Sequence, residues 1–121
     1  MKAVVLKGPA GPEVLAVVER ADVAPGPGEA LVEVAAAGVN FMDMGVRHGR
    51  AGAGEPSEHF LGVEGARRVL AVGDGVAELK PGTRVAWVYA PGSYAKRALI
   101  TTDALVPTPD GIDDLKLLLI P

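Results

Sequence analysis

Residues 29–43 read Glu-Ala-Leu-Val-Glu-Val-Ala-Ala-Ala-Gly-Val-Asn-Phe-Met-Asp, and this stretch decides the fold prediction. Small or branched apolar side chains recur at every second position of its first nine residues, and two glutamates occupy alternate positions. A period of two predicts a β-strand over residues 29–37, with one face formed by Ala30, Val32, Val34 and Ala36. Leu31 is the exception to the alternation.

A short helix is predicted immediately after this strand, over residues 40–48. Asn40 suits the N-cap because its side chain can accept a hydrogen bond from a free backbone amide of the first turn. Asp43 follows three residues later, where a carboxylate also suits the positive end of the helix dipole. Gly49 is well placed to end the helix, and residues 49–56 are predicted to form a loop.

The rest of the chain alternates short apolar segments with turns that contain glycine and proline. Strands are predicted over residues 3–7, 14–20, 64–72, 84–89, 93–100 and 104–107. The first two are expected to pair as a hairpin. Pro81 and Gly82 occupy the second and third positions that a type II turn prefers, and they precede the expected partner of strand 64–72. Six or seven short strands with one helix predict a mainly β protein that forms a partly open β-barrel.

Composition limits the class of protein. A length of 121 residues suits one domain, and a hydrophobic content of 49% is enough for one core. The net charge is −3 and no run of lysine and arginine is present, which argues against nucleic-acid binding. The absence of cysteine excludes disulfides and thiolate chemistry. No apolar run approaches the roughly 20 residues that span a bilayer, so we expect a cytoplasmic protein without a membrane partner.

Three short motifs resemble nucleotide-binding or catalytic signatures but lack the required spacing. After Gly73-Asp74-Gly75, a glutamate stands where a dinucleotide fingerprint has its third glycine, and Pro81 follows too soon for a phosphate-binding helix. These residues are therefore predicted to form a hairpin turn. Ser57 and His59 are close in sequence only, and the surroundings of Ser93 lack the glycine spacing of a nucleophile elbow.

The residues after the first long strand carry the remaining candidates for chemistry. A zinc site needs about four converging nitrogen, sulfur or oxygen donors, and only Asp43, Glu64, His48 and His59 are near one another in sequence. Surface histidines in or beside a loop are the better explanation. Considered on spacing alone, Asn40 and Asp43 are also better explained as the start of a helix than as a site.

Several motifs in a fixed order resemble one known family. These motifs are Ala37-Gly38-Val39-Asn40-Phe41-Met42-Asp43, Gly62-Val63-Glu64-Gly65-Ala66, Leu79-Lys80-Pro81-Gly82-Thr83-Arg84-Val85 and Gly92-Ser93-Tyr94-Ala95. Together they resemble the catalytic domain of the zinc-free quinone oxidoreductases (zeta-crystallin-like) in the medium-chain dehydrogenase/reductase superfamily. The resemblance implies that the zinc-dependent relatives have a cysteine where this chain has Asn40 and a histidine where it has Val63.

The resemblance implies a domain organisation and a set of site residues. It implies that residues 1–112 form an N-terminal GroES-like β-barrel with one or two short helices. Residues 113–121 would then be the truncated start of a linker helix to an absent Rossmann domain. In the family, the matching Asn40 and Asp43 line the cleft between the two domains near the nicotinamide ring. Asn40 and Asp43 are therefore expected to be catalytic, and Asn40, Phe41 and Met42 to contact NADPH, with no metal.

The chain departs from the family pattern at a few positions. Arg67 stands where the family usually has a third glycine, and Arg67 and Arg68 are adjacent on a predicted strand, so one of them faces the core side. A buried arginine without a partner is unfavourable. Lys96 and Arg97 stand where an acidic residue and an aromatic residue are typical.

Two functional hypotheses follow from the resemblance. The first is a catalytic-domain fragment of an NADPH-dependent oxidoreductase that transfers hydride to a quinone or another α,β-unsaturated carbonyl, inactive by itself because it lacks the cofactor platform. The second is a noncatalytic GroES-like interaction module that could pair as a homodimer. A cochaperonin role would rest on the fold analogy alone.

Overall fold

Short antiparallel strands account for most of the molecule. The computed structural model describes residues 1–6, 15–21, 24–43 and 59–117. Its strands are β1 (Lys2–Leu6), β2 (Leu15–Glu19), β3 (Glu29–Ala37), β4 (His59–Phe60), β5 (Glu64–Val72), β6 (Arg84–Val88), β7 (Arg97–Thr101) and β8 (Leu105–Pro107). Residues 41–43 are helical. Two 3₁₀-helices follow, at Thr102–Ala104 and Asp114–Leu117.

The strands form two open sheets. One has the order β2-β1-β4 and the other β7-β3-β5-β6-β8, with antiparallel pairing throughout. An isolated antiparallel bridge between Ala3 and Ala95 joins them, supported by the hydrogen bond from the Val4 amide to the Tyr94 carbonyl (2.8 Å). The mainly β, partly open architecture predicted from sequence is confirmed.

Most predicted strands are found where the sequence places them. β3 and β5 have the predicted bounds, and β1 pairs with β2 as the expected hairpin. The segment predicted over residues 93–100 differs, because only Arg97–Thr101 forms a regular strand and Ala95 contributes a single bridge. The predicted helix lies within the described residues only as far as Asp43, and the predicted loop over residues 49–56 lies outside them.

Among the described residues, a cluster of apolar side chains forms a core on one face of the five-stranded sheet. Its members are Ala30, Val32, Val69, Leu79, Val85, Trp87, Ala90, Ala98, Ile100 and Leu105. β3 contributes Ala30 and Val32, which are both fully buried. Alternate residues of a strand point to the same face of the sheet, so these two side chains share the core-facing side. Trp87 lies directly over Gly65, and a Cβ atom at position 65 would come within 2.4 Å of the indole ring. Gly65 is therefore needed for close packing of β5 against Trp87.

The turns predicted between strands are also present. The Thr83 amide donates to the Lys80 carbonyl (3.0 Å) around Pro81 and Gly82, and Gly82 has a φ of 94°. A positive φ at the third position is what a type II turn requires. Gly73 and Asp74 lead into a turn that packs on residues 26–29, and no helix follows it before β6. The dinucleotide-binding interpretation of that motif is thereby excluded.

Arginine side chains tie the 3₁₀-helix at residues 114–117 to the large sheet. Arg67 pairs with the buried Val85 of β6, so it is the arginine predicted to face the core side. Its side chain is nevertheless 39% exposed. It contacts Asp114 (3.3 Å) and Glu33 (3.8 Å), so the expected problem of an unpartnered arginine does not arise. Arg84 donates to Asp114 (2.8 Å) and to the Ile112 carbonyl (2.6 Å). These contacts hold residues 112–114 against β5 and β6.

In the part of the chain that the structure describes, no helix is both long enough and apolar enough to cross a membrane.

Candidate functional site

The end of β3 brings the chain to the candidate site. The Gly38 amide donates to the Glu64 carbonyl (3.1 Å), which holds this strand end against the start of β5. The chain then turns at Val39 and Asn40 into the helical residues 41–43. The site therefore lies where two strands of the large sheet meet the first turn of a helix.

The helix start is closed by a hydrogen bond from the main chain to a carboxylate. The Asn40 amide donates to Oδ2 of Asp43 (3.0 Å), and the Asp43 amide donates to the Asn40 carbonyl (3.0 Å). This is the reciprocal half of a capping box, in which the third helical residue reaches back to the N-cap amide. Asp43 is a buried residue, with an exposed fraction of 7%.

The Asn40 side chain makes a contact that the sequence does not predict. Its Nδ2 atom donates to Oε2 of Glu64 at 3.0 Å, so the side-chain amide bonds to a buried carboxylate on β5. The local pattern predicts only that the Asn40 side chain caps the first turn, because Asn40 and Glu64 are 24 positions apart. The tertiary structure gives Glu64 the role of hydrogen-bond acceptor for the Asn40 side chain.

Tyr94 completes the cluster from a separate segment. Its hydroxyl donates to Oδ2 of Asp43 at 2.5 Å. Burial, followed by the hydrogen bond and the negative charge of Asp43, raises the pKa of Tyr94 well above its ordinary value of 10.0. Because its proton points at Asp43 and is held tightly, Tyr94 is suited to orienting that carboxylate and unsuited to donating a proton.

The segment carrying Tyr94 is held close to β4 and β5. The Tyr94 amide donates to the Leu61 carbonyl (3.0 Å), and the Gly92 amide to the Gly62 carbonyl (2.9 Å). Gly62 has a φ of 89°, and a Cβ atom there would lie 2.1 Å from the Ser93 hydroxyl and 2.6 Å from the Tyr94 ring. A glycine is required on both counts.

A pocket of about 380 Å³ opens beside these polar groups. Its lining consists of Leu15, Val39, Asn40, Phe41, Asp43, Leu61 and Tyr94. Val39 and Phe41 are 84% and 82% exposed, which is unusual for large apolar side chains at a helix start. An apolar pocket with a few convergent polar groups is the usual form of a small-molecule site.

The structure brings the predicted site residues together. Asn40, Phe41 and Asp43 all line the pocket, and Met42 is 38% exposed beside them. Glu64 and Tyr94 were not predicted as site residues. A signal for Glu64 exists in the sequence, because an acidic residue within the apolar Leu61-Gly-Val-Glu64 segment needs a buried partner. Nothing local to Tyr94 indicates that it meets Asp43.

Other candidate groups lie apart from this arrangement. His48 and Ser57 fall outside the described residues, whereas Ser93 is buried with no hydrogen-bond partner for its hydroxyl among the described atoms. Within the described ranges, no three His, Asp or Glu residues are grouped so that they could hold a metal ion.

Comparison with known proteins identifies the family of the chain. The family model described as the alcohol dehydrogenase GroES-like domain matches residues 26–110. The chain therefore belongs to the alcohol dehydrogenase GroES-like domain family, and its resemblance to the quinone oxidoreductases of the medium-chain dehydrogenase/reductase superfamily is confirmed.

The similar proteins include enzymes of known structure. A quinone oxidoreductase of Pseudomonas aeruginosa is 44% identical over 105 residues, covering 85% of this chain and 32% of that protein. A mycocerosic acid synthase-like polyketide synthase of Mycobacterium tuberculosis is 42% identical over 94 residues, covering 76% of this chain and 4% of the synthase. The structure of Escherichia coli quinone oxidoreductase complexed with NADPH matches with a TM-score of 0.87 and 33% identity, covering 94% of this chain and 35% of that one. The chain thus spans about a third of the length of these quinone oxidoreductases.

Proposed function

We propose that this domain forms one wall of the catalytic cleft of a zinc-free, NADPH-dependent oxidoreductase acting on a quinone or another α,β-unsaturated carbonyl, in the cytoplasm. The observation that carries the proposal is the pocket in which the amide of Asn40 lies beside the exposed side chains of Val39 and Phe41. An apolar pocket wall next to an amide suits a ring that carries a carbonyl or carboxamide group.

The described residues fit the nicotinamide end of the cofactor and not its phosphates. Asn40 and Phe41 would contact the ring because they line the pocket, and the partly exposed Met42 would contact it from the next position along the chain. The Gly73-Asp74-Gly75 turn packs on residues 26–29 and precedes no helix, so it offers no pyrophosphate site. When bound, NADPH would supply the hydride that the acceptor takes up, and the proton that completes the reduction would come from solvent.

The roles of the protein groups are orientation and hydrogen bonding. Asn40 would orient the acceptor or the nicotinamide through the part of its amide that does not bond to Glu64. Asp43 would hold the helix start and the hydrogen bonds at the cleft, since Asn40 and Tyr94 both donate to its Oδ2 atom. Direct hydride transfer needs the two reactants placed in contact more than it needs an acid or base.

The domain arrangement is part of the same proposal. Residues 1–112 would form the GroES-like domain, and residues 113–121 would begin the helix that leads to a nucleotide-binding domain. The isolated chain is expected to show no significant NADPH-dependent turnover of quinone, because one wall of a cleft does not bind the cofactor.

A chimera tests the proposal. This chain would replace the matching N-terminal segment of the Pseudomonas aeruginosa quinone oxidoreductase, to which it is 44% identical. We expect quinone-dependent oxidation of NADPH, and a loss of about 10- to 100-fold in kcat/KM in the N40A variant because the reactants lose their alignment. A folded chimera that binds NADPH but reduces neither quinones nor enones would contradict the proposal.

A further inference from the structure

The side chain of Glu64 occupies space that is free only because residue 38 is a glycine and has no side chain. Glu64 is the first residue of β5 and is 4% exposed. A Cβ atom at Gly38 would lie 2.2 Å from Oε2 of Glu64, which is closer than any real contact. Gly38 has an ordinary negative φ, so a side chain is excluded there by the Glu64 carboxylate and not by backbone strain.

The carboxylate of Glu64 is connected to the pocket by its hydrogen bond with Asn40. Asn40 lines the pocket, whereas Glu64 is not among the lining residues. The Nδ2 atom of Asn40 donates to Oε2 of Glu64 at 3.0 Å. A carboxylate can only accept hydrogen bonds, so the contact selects one of the two orientations of the Asn40 amide. The nitrogen is directed to Glu64 and the carbonyl oxygen away from it.

We propose that Glu64, seated in the space left by Gly38, is a positioning residue that fixes the orientation of the Asn40 amide in the pocket. The inference rests on the proposed function for its kinetic consequence, but its structural part can be tested without turnover. A fixed amide presents its carbonyl oxygen and its second N–H at constant positions. The side chain is then already ordered before a ligand binds, so binding does not have to order it.

The composition of the chain makes a direct spectroscopic test possible. The sequence contains one asparagine and no glutamine, so Asn40 supplies the only side-chain amide group in the protein. In a ¹⁵N-labelled sample of the 121-residue chain, this group gives a single pair of NH₂ resonances. We expect its two protons to be widely separated in chemical shift, since one is bonded to a carboxylate, and to exchange slowly with solvent.

Two variants approach the same contact from opposite sides. E64A removes the acceptor, and G38A displaces it by steric contact. We expect both to move the Asn40 proton shifts toward those of a free amide. In the double variant, G38A should add nothing to E64A, because the atom it collides with is gone. A wild-type pair typical of a free amide, or a pair unchanged in E64A and G38A, would overturn the proposal.

The kinetic test uses the chimera described above. E64A is expected to lower kcat/KM by about 10-fold or more through misplacement of the Asn40 amide, whereas E64Q, which keeps an acceptor oxygen, should recover most of the loss. An E64Q variant as impaired as E64A, or an E64A variant with unchanged kcat and KM, would contradict the positioning role. An inactive chimera with the expected Asn40 resonances would instead refute the proposed function and leave the structural inference intact.

Discussion

The hydroxyl of Tyr94 and the main-chain amide of Asn40 donate to the same oxygen of Asp43, at 2.5 Å and 3.0 Å. Tyr94 and Asp43 are 51 positions apart in the sequence. Their contact ties the start of the helix to the segment that bridges the two sheets. A carboxylate buried to this degree needs such donors, because desolvation of an unpaired charge is unfavourable.

Removal of the Tyr94 hydroxyl should destabilise the fold. Y94F leaves the Asp43 carboxylate with one donor fewer, and we expect a loss of about 1.5–3 kcal/mol in the free energy of unfolding, the usual range for a hydrogen bond to a charged group. Urea denaturation followed by Trp87 fluorescence measures it. Y89F is the control, since Tyr89 is 67% exposed and its loss should change stability by less than about 0.5 kcal/mol. Equal stability of Y94F and the wild type would show that the contact contributes nothing.

The raised pKa of Tyr94 predicts a specific response to alkaline pH. Because its pKa is higher in the folded than in the unfolded state, this group stabilises the fold fully below about pH 10. That contribution is lost as the pH rises above 10 toward the folded pKa. Tyrosinate absorbance should therefore show a delayed phase in the folded wild type, still present in Y89F and missing from Y94F. A delayed phase that survives in Y94F would rule out this assignment.

The pKa of Asp114 predicts the behaviour of the arginine contacts in acid. Hydrogen bonds from Arg84, and then from Arg67, lower the pKa of Asp114 below its ordinary value of 3.8, although burial opposes the shift. A carboxyl with a lowered pKa stabilises the fold above its unfolded pKa, and the contribution disappears as the pH falls through the folded value. D114N should therefore be less stable than the wild type at pH 7, with a difference that shrinks below pH 4.

The control for Asp114 is a nearby exposed aspartate. D110N removes the same charge from an exposed position and should leave the pH profile of thermal unfolding close to that of the wild type. Hydrogen exchange of the amides of residues 112–116 gives a local measure, which should accelerate in D114N only. Identical exchange in both variants would mean that the arginines do not hold this segment.

The packing of Trp87 on Gly65 predicts a large effect of one methyl group. G65A places a Cβ atom 2.4 Å from the indole ring, so Trp87 must move, and overpacking of this kind costs about 1–3 kcal/mol. Thermal unfolding measures the loss. In a W87F background the smaller ring leaves room, so the same substitution should cost less. A cost that is equal in both backgrounds would assign the effect to the backbone of β5.

Substitution of Phe41, the exposed aromatic residue at the pocket, is expected to change ligand binding but not the stability of the fold. Phe41 is 82% exposed, so F41S should change the unfolding free energy of the isolated chain by less than about 0.5 kcal/mol. In the chimera it should raise KM, because it removes apolar surface from the pocket. V106S, at a 60% exposed position on β8 far from the pocket in the strand order, is the matched control. Equal effects of both substitutions on KM would place the ligand elsewhere.

The strands could be predicted because their signals are local. β3 combines apolar residues at alternate positions with two glutamates and is followed by Gly38, and its observed bounds are those predicted. The strand predicted over residues 93–100 begins too early, because β7 starts at Arg97 and the main chain of Tyr94 instead hydrogen-bonds to Leu61 and to Val4 of β1. The aromatic side chain of Tyr94 favours burial but does not indicate which partner it meets.

The sequence by itself determined the mainly β architecture and the family, because alternation, turn residues and motif order are properties of neighbouring positions. It also predicted Asn40 and Asp43 as site residues through the family resemblance. Only the tertiary structure decided that the Asn40 side chain bonds to Glu64, that Tyr94 meets Asp43, and that Asp114 pairs with Arg67 and Arg84. These are contacts between residues 24 to 51 positions apart. These contacts depend on which strand ends the two sheets bring next to each other. Local spacing in the sequence does not encode that arrangement.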